Sequence, residues 1–396
     1  WQPIKPVISN LKIRGSWGLV GNDATNAGRF AYMEDLVLGG SDSYTTGIRQ
    51  DTYYSGPSWN RYFNPDLTWE VGEKINLGLD LQLFNDFNLT FDIFREKRRD
   101  IFMTRENSIP EIVGTGETKI TSNNGEMENK GLDLAIDYNK QITKDFFLSF
   151  KSTLTFARNK VLKMDEPPYF EYPGLSDVGH PLGTYWGYVA DGLFPDQETI
   201  DNSPRQDLGY TPQPGDIKYV NQPNAKGEYD NVINSNDRVA IGHPYDPELV
   251  YGFGPSMKWK NWDFSFFFQG VARTSFMMYG MHPFGTTSIK NMLQFVADDH
   301  WSVDNPNPNA AYPRLTKDSN GNNDQYSTYW LRNAAFLKLK NAEIGYTYKG
   351  MRFYLSGVNL LTFSPFKHWD PEMGGGNGLY YPTQRVFNIG FQMTIQ

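Results

Sequence analysis

The amino-acid sequence predicts an all-β chain that forms part of an antiparallel transmembrane β-barrel. Apolar and polar residues alternate with period two in about ten segments, a pattern typical of β-strands with two different faces. Short and long connections between these segments alternate along the chain, as they do in outer-membrane barrels. Aromatic residues make up 15% of the 396 residues and crowd the short connections, where a membrane interface would place them.

The alternation can be followed strand by strand. From Leu77 to Leu83 leucines alternate with glycine or polar residues, and from Phe387 to Ile395 every second residue is apolar. The ten segments are LKIRGSWGLVG from Leu11, NLGLDLQLF from Asn76, NLTFDIF from Asn88, GLDLAIDYN from Gly131, FLSFKSTLTFARNKV from Phe147, YGFGPSMKWK from Tyr251, DFSFFFQGV from Asp263, FLKLKNAEIGYTY from Phe336, MRFYLSGVNLLTF from Met351 and VFNIGFQMTIQ from Val386. The parity changes within the eighth segment, which predicts a β-bulge near Lys340 or Asn341.

The connections carry independent information about the fold. The short ones lie near residues 85–87, 143–145, 261–262 and 349–350, and the long ones run roughly over 22–66, 108–125, 165–249, 281–327 and 367–384. Connections longer than about 12–15 residues are uncommon in compact soluble domains. Five long loops would also crowd a barrel of about ten strands, so we expect a wider barrel.

The two faces of the strands predict their surroundings. The apolar face, which includes Leu77, Leu79, Leu81 and Leu83, suits lipid, and the polar face suits a wet lumen. Several strands exceed the roughly 9–11 residues that a tilted span needs, so we expect them to project beyond the outer leaflet. The last segment is predicted to close the barrel against the strand from Met351 and an earlier strand outside this chain, with the C-terminus on the periplasmic side.

Composition excludes several other classes. No window approaches twenty consecutive apolar residues, which argues against helical membrane spans. The absence of cysteine excludes disulfides, zinc–thiolate sites and cysteine nucleophiles. A net charge of −8 argues against a nucleic-acid partner. The chain opens on WQPIKPVISN, without an initiator methionine, and we expect it to be a piece of a longer or processed protein.

A resemblance to a known family extends these expectations. The segments that carry it are LKIRGSWGLVGND, FNPDLTWEVGEKINLGLDLQLFNDFNLTFDIFREKRRDIF, NNGEMENKGLDLAIDYN, YWGYVADGLF, PGDIKYV, NDRVAIGHPYDPELVYGFGPSMKWKNWDFSFFFQG, YWLRNAAFLKLKNAEIGY, FYLSGVNLLTF and the tripeptide Asp370-Pro371-Glu372. In this order they resemble the C-terminal half of SusC/RagA-type TonB-dependent transporters of Bacteroidetes outer membranes. The resemblance covers essentially the whole chain.

The resemblance implies a plugged barrel of about 22 strands. Residues 1–396 would supply roughly its last ten strands, and the plug domain and earlier strands would lie outside this chain. Family members import nutrient oligosaccharides, less often peptides, under a SusD-like surface lipoprotein lid, with energy delivered through TonB. We therefore expect transport rather than catalysis, no cofactor, and contacts with outer-membrane lipid.

Candidate substrate contacts are aromatic residues of the long connections: Trp59, Trp186, Tyr188, Trp301 and Trp369. Flat rings at these positions could stack on sugar faces, because an aromatic ring offers a large contact area at little entropic cost. The alternative is that these rings pin the long loops to each other or to a partner.

Metal and catalytic sites receive little support from the sequence. Asp216, Asp230, Asn234 and Asp237 lie in an acidic loop, but their spacing departs from a calcium motif, so no metal site is predicted. The five histidines are scattered without the paired spacing of a zinc site: His180, His243, His282, His300 and His368.

Two other functional classes stay open. A small self-contained outer-membrane barrel enzyme would need a His–carboxylate or Ser–His set near the strand tops, and no such set is apparent. A surface glycan-binding β protein would need charged second faces, which LQLF, NLTF and FFLSF do not provide.

Overall fold

The computed structural model describes residues 5–24, 28–39, 43–105, 107–110, 112, 120–280, 292–316 and 319–394. The last two residues of the predicted final strand, Ile395 and Gln396, lie outside the described residues. His282 and parts of the connections predicted over 22–66, 108–125 and 281–327 also lie outside them.

Ten strands form a single antiparallel sheet in which each strand pairs with its neighbours in the series. They are β1 Ile8–Asn22, β2 Glu70–Leu83, β3 Phe87–Thr104, β4 Thr121–Thr143, β5 Phe146–Lys163, β6 Leu249–Trp259, β7 Trp262–Ala272, β8 Phe336–Tyr348, β9 Met351–Phe363 and β10 Val386–Met393. All ten predicted strands are confirmed. We refer to this sheet as the wall.

The connections follow the predicted rule of alternating length. The short ones are residues 84–86, 144–145, 260–261 and 349–350, and the long ones are 23–69, 105–120, 164–248, 273–335 and 364–385. Because consecutive strands are antiparallel, all short turns lie at one end of the wall and all long loops at the other. Residues 349 and 350 both have positive φ, 46° and 78°, as a two-residue hairpin turn requires. Register shifts on both sides of β8 confirm the bulge at Lys340.

The two faces of the wall differ as predicted. Paired residues of adjacent strands point to the same side, and Leu79 belongs to an apolar row with Ile13, Phe91, Leu134, Leu154 and Tyr251. On the opposite face Arg14 joins Asp80 and Asp92 from two other strands, with nitrogen–oxygen distances of 2.9 Å to each carboxylate.

The apolar face is not covered by the described part of the chain. Ile13 is 72% exposed, Leu77 is 51% exposed and Ile389 is 90% exposed. A soluble β-sandwich would bury such a face against a second sheet. The exposure of a continuous apolar face therefore favours lipid as the solvent of this side of the wall.

The hydrophobic core lies in the long loops instead of the wall. The described parts of segments 164–248, 273–335 and 364–385, which we call the core loops, pack against one another. The buried members of this loop core are Tyr188, Leu193, Ile217, Tyr219, Ile233, Ile241, Phe276, Met277, Met278, Val296, Trp301, Ala310, Tyr312, Trp330, Ala334 and Phe366. The described parts of the core loops thus form a folded layer at one end of the wall.

Short elements organise this layer. Antiparallel pairs join Tyr185–Gly187 to Val239–Ile241, Ala190–Leu193 to Ile217–Tyr219, and Ser275–Met277 to Leu331–Asn333, and a parallel pair joins Arg205–Gln206 to Val232–Ile233. In the first long loop, Asp35–Val37 pairs with Ser58–Arg61 and Ser43–Thr46 with Thr52–Ser55. Helices α1 (Gln197–Asp201) and α2 (Gln294–Asp298) and the 3-10 turns Pro173–Leu175, Ser235–Asp237 and Pro371–Met373 complete the layer. Within the described ranges, no helix has the length and apolar character of a membrane span.

Candidate functional site

A buried polar network holds two of the core loops together. The side chain of Asp216 is completely buried and accepts hydrogen bonds from Arg314 at 2.7 Å, Asn320 at 3.0 Å and Asn323 at 2.8 Å. Asn323 also accepts a hydrogen bond from the indole of Trp330 through its backbone carbonyl. A buried carboxylate with a cation and two amide donors is well compensated, and it fixes Arg314, Asn320 and Asn323 against the loop that contains Asp216.

A second polar contact anchors the third core loop to the wall. Lys338 of β8 is completely buried, and its Nζ lies 2.5 Å from Asp370 and also contacts Glu372. Lys340, which lies on the same strand as Lys338, pairs with Glu372 at 2.6 Å. The tripeptide Asp370-Pro371-Glu372 therefore fastens residues 364–385 to the wall.

The three core loops enclose a cleft lined by tyrosine. Two cavities of about 210 and 200 Å³ share Tyr279 and Tyr326 in their linings, and the second is also lined by Tyr185, Tyr245 and Tyr380. Each core loop contributes at least one of these five residues, which together we call the tyrosine cleft. Four of the five rings are about half exposed, so they can contact a ligand.

Two tyrosines of the cleft have pKa values above the ordinary value of tyrosine. A hydrogen bond with Tyr380 raises the pKa of Tyr279, and burial raises the pKa of Tyr185 to about 12. These hydroxyls therefore stay protonated at physiological pH and can both donate and accept. Arg314 and Asp324 both line the larger cavity, where Arg314 pairs with Asp216 and Asp324 accepts a hydrogen bond from the backbone of Asn320 at 3.1 Å. The protonated hydroxyls and the flat rings suit a ligand with hydroxyl groups and flat apolar faces.

Comparison with known families identifies the fold. Residues 10–360 match the family model described as "TonB dependent receptor-like, beta-barrel". The chain belongs to the TonB-dependent receptors. This confirms the resemblance found in the sequence and places the chain among outer-membrane proteins.

Individual relatives cover the whole chain but are much longer than it. TonB-dependent receptor P26 of Formosa agariphila and TonB-dependent receptor SusC of Bacteroides thetaiotaomicron are each 28% identical over 98% of the chain, which spans 40% and 38% of their lengths. The solved RagAB peptide transporter matches with a TM-score of 0.71 and 22% identity, over 98% of this chain and 41% of that one. The structural match supports the fold, and the chain spans about two fifths of these receptors.

Of the five residues predicted to contact substrate, two lie in the loop core of this receptor and a third packs against it. Tyr188 and Trp301 are 3% and 7% exposed, and Trp369 packs against the same core. The ring of Trp301 lies directly against Gly215, where a Cβ atom would not fit. These contacts agree with the alternative given in the sequence analysis, in which the rings hold the long loops together.

The other two predicted residues also have contacts within the loops. Trp59 stacks on Tyr62 with ring centroids 5.4 Å apart, in a loop that is separate from the core loops. The indole of Trp186 donates a hydrogen bond to Asp177 at 2.6 Å and meets the ring of His180 edge-on. Among the described residues, none of the five predicted positions lines the tyrosine cleft. Substrate contact by these rings stays a prediction.

Two carboxylates of the acidic loop have structural roles. Asp216 belongs to the polar network, and Asp237 accepts backbone hydrogen bonds from Gln222 at 2.7 Å and Asn234 at 2.8 Å. Burial raises the pKa of Asp237. Over the residues that the structure describes, no group of three or more histidine or acidic side chains is arranged to hold a metal ion.

The sequence did not reveal the tyrosine cleft. Tyr185, Tyr245, Tyr279, Tyr326 and Tyr380 are far apart along the chain and share no motif. The signal that could have drawn attention to them is the abundance of tyrosine, with 24 residues, many of them in the long loops.

Proposed function

We propose that the complete receptor imports nutrient oligosaccharides across the outer membrane and that the tyrosine cleft is part of its substrate path. The observation that carries this proposal is the meeting of five tyrosines from three long loops at one end of a barrel wall. Energy for release would come through TonB, acting on a plug domain that other parts of the protein supply.

The chemistry of the cleft favours sugars over peptides as the cargo. Tyr279 and Tyr185 stay neutral, and the hydroxyls of the cleft can bond to sugar hydroxyls while the rings stack on sugar faces. A peptide carries charged termini and side chains, which call for opposite charges that are free to pair. In the larger cavity the cation Arg314 is engaged with Asp216, and the acid Asp324 accepts a hydrogen bond from the backbone of Asn320.

We also propose that a SusD-like lipoprotein covers the core loops from outside the cell. Segments 164–248 and 273–335 are the longest connections and expose large apolar side chains: Phe170 is 86% exposed and Val303 is 84% exposed. In this orientation the long loops are extracellular, and the short turns and the end of β10 face the periplasm.

Ligand binding by the complete receptor, measured with and without the lipoprotein, tests the substrate proposal. Tyr279→Ala and Tyr326→Ala should each weaken binding of a neutral oligosaccharide by about threefold to tenfold, the effect of losing one ring contact. Tyr229→Ala, in a core loop but outside the cleft, is the matched control and should bind normally. Tighter binding of peptides than of oligosaccharides would overturn the choice of substrate, and unchanged binding in both variants would exclude the cleft.

The absence of cysteine from this chain permits a separate test of orientation. Tyr229→Cys places a thiol on an exposed part of a core loop, and Lys144→Cys places one in a short turn. A membrane-impermeant maleimide added to intact cells should label the first position and spare the second. The reverse pattern would show that the barrel is inverted.

A further inference from the structure

On strands β3 to β5 the apolar face of the wall ends abruptly in a row of cations. Ile93, Leu132 and Phe156 are paired across β3, β4 and β5 and form one apolar row. Two residues further toward the long loops, on the same face, the paired residues are Arg95, Lys130 and Arg158. One strand step of about 7 Å therefore separates an apolar surface from a basic one.

A fourth cation continues this row. The guanidinium of Arg273, which follows β7, lies 5.8 Å from the ring centroid of Phe156. It pairs at 2.6 Å with Glu248, the same carboxylate that Arg158 reaches at 3.1 Å. We call Arg95, Lys130, Arg158 and Arg273 the basic row.

The basic row contains more positive charge than its own carboxylates neutralise. Its four cations share two acids, Glu128 and Glu248, whose side chains are 12% and 4% exposed. The cations themselves remain 42–59% exposed. Like charges directly opposite one another destabilise a sheet, so a row of this kind is best stabilised by a further anion from outside the protein.

The position of the row identifies that anion. If the apolar face meets hydrocarbon, the first polar layer beyond it is the layer of lipid headgroups. Phosphate is the headgroup anion that arginine binds through paired hydrogen bonds and lysine binds as a point charge. Beyond the row on the same face, Lys97, Arg99 and Lys160 lie among the acids Glu73 and Glu126, and Lys97 pairs with Glu126 at 2.9 Å, so the excess of positive charge lies in the basic row itself.

We propose that the basic row binds the phosphate groups of the outer-leaflet glycolipid lipid A, and that this contact fixes the height of the wall in the membrane. The proposal rests on the extracellular orientation of the long loops given under the proposed function. It concerns the lipid side of the wall and is independent of the cleft and its substrate.

The test is the binding of lipid A to the complete receptor in mild detergent, measured by native mass spectrometry. The main variant is Lys130→Gln with Arg158→Gln, because Glu128 then keeps Arg95 and Glu248 keeps Arg273. It should bind phosphorylated lipid A about tenfold more weakly than the unaltered receptor. Dephosphorylated lipid A should bind both proteins equally weakly.

A matched control replaces cations of the same wall on the opposite face. Lys12→Gln with Lys151→Gln removes two charges from strands β1 and β5 on the polar side, and this variant should bind lipid A normally. If the main variant does not migrate as a folded barrel on gels, Lys130→Gln alone should still weaken binding by about threefold.

Each other result has a defined meaning. Equal lipid A binding by the main variant and the control would overturn the proposal, as would equal binding of the dephosphorylated lipid. Binding of inorganic phosphate alone would show a free-anion site, and loss of the lipoprotein lid with normal lipid binding would show a protein interface. Oligosaccharide binding is measured on the same samples, so failure of the lipid site and failure of the import proposal are distinguishable.

Discussion

Replacing Lys338 with methionine should release the third core loop from the barrel wall. The ammonium group of Lys338 is completely buried between Asp370 and Glu372. Removing one partner from a buried ion pair costs about 3–5 kcal/mol, because the remaining charge is left without compensation. Methionine keeps most of the volume of lysine, so the effect should come from the charge and not from a cavity.

The surroundings of the two carboxylates narrow the expected cost of the substitution. The side chains of Asp370 and Glu372 are 19% and 24% exposed, so water can solvate them partly after the substitution. Glu372 also keeps Lys340 at 2.6 Å. We therefore expect the lower end of the range, about 3 kcal/mol.

Hydrogen exchange of the complete receptor measures this change locally. A loss of about 3 kcal/mol should lower the protection of residues 364–385 by about a hundredfold while β1 to β5 keep theirs. Lys340→Met is the matched control: it removes one partly exposed partner of Glu372 and should cost about 0–1 kcal/mol. Equal effects of the two substitutions, or unchanged protection after Lys338→Met, would refute the anchoring role of the buried pair.

Three further predictions address the wall, the loop core and pH. Leu79→Arg should destabilise the barrel by about 2–4 kcal/mol in a bilayer folding titration, whereas Gln82→Arg on the opposite face should be nearly silent; equal effects would contradict the lipid-facing assignment. Gly215→Ala combines a φ of +89° with a clash against Trp301, so it should destabilise the loop core by about 2 kcal/mol or more, and normal hydrogen-exchange protection there would contradict this reasoning. Burial lowers the pKa of His368 below 6.5, so loop stability should fall as pH drops below about 6.5 and level off below the depressed pKa; His368→Phe should remove this slope, and a persistent slope would assign it to another group.

The wall could be predicted from the sequence because its signal is local. Residues that share a face of a strand are two positions apart, so the alternation around Leu79 or Phe391 is visible without any knowledge of pairing. The bulge at Lys340 is also visible in the sequence, because the apolar residues change from odd positions at Leu339 to even positions at Ile344. The basic row has a signal of the same kind, because the odd positions of β3 change from Ile93 to Arg95.

The folded loops could not be predicted in this way. Their core joins residues such as Ile217, Phe276 and Phe366, which come from three different segments and follow no period. The sequence shows that aromatic rings are present in the loops but not which rings end in the core. Trp301 is buried and Tyr326 is about half exposed, and this difference is set by contacts between distant segments.

The wall and the loops are stabilised in different ways because they face different solvents. In the wall, the apolar residues face outward, so burial against protein cannot hold the strands together, and hydrogen bonding between strands takes that role in lipid. The loops lie in water and need a conventional interior, which accounts for the location of the hydrophobic core there and for the buried network around Asp216. Lys338 joins the two regions, because it belongs to a wall strand and its partners belong to a loop. The tyrosine cleft is therefore built on a folded layer that the wall positions, and substitutions in the loop core should alter ligand binding without preventing barrel assembly.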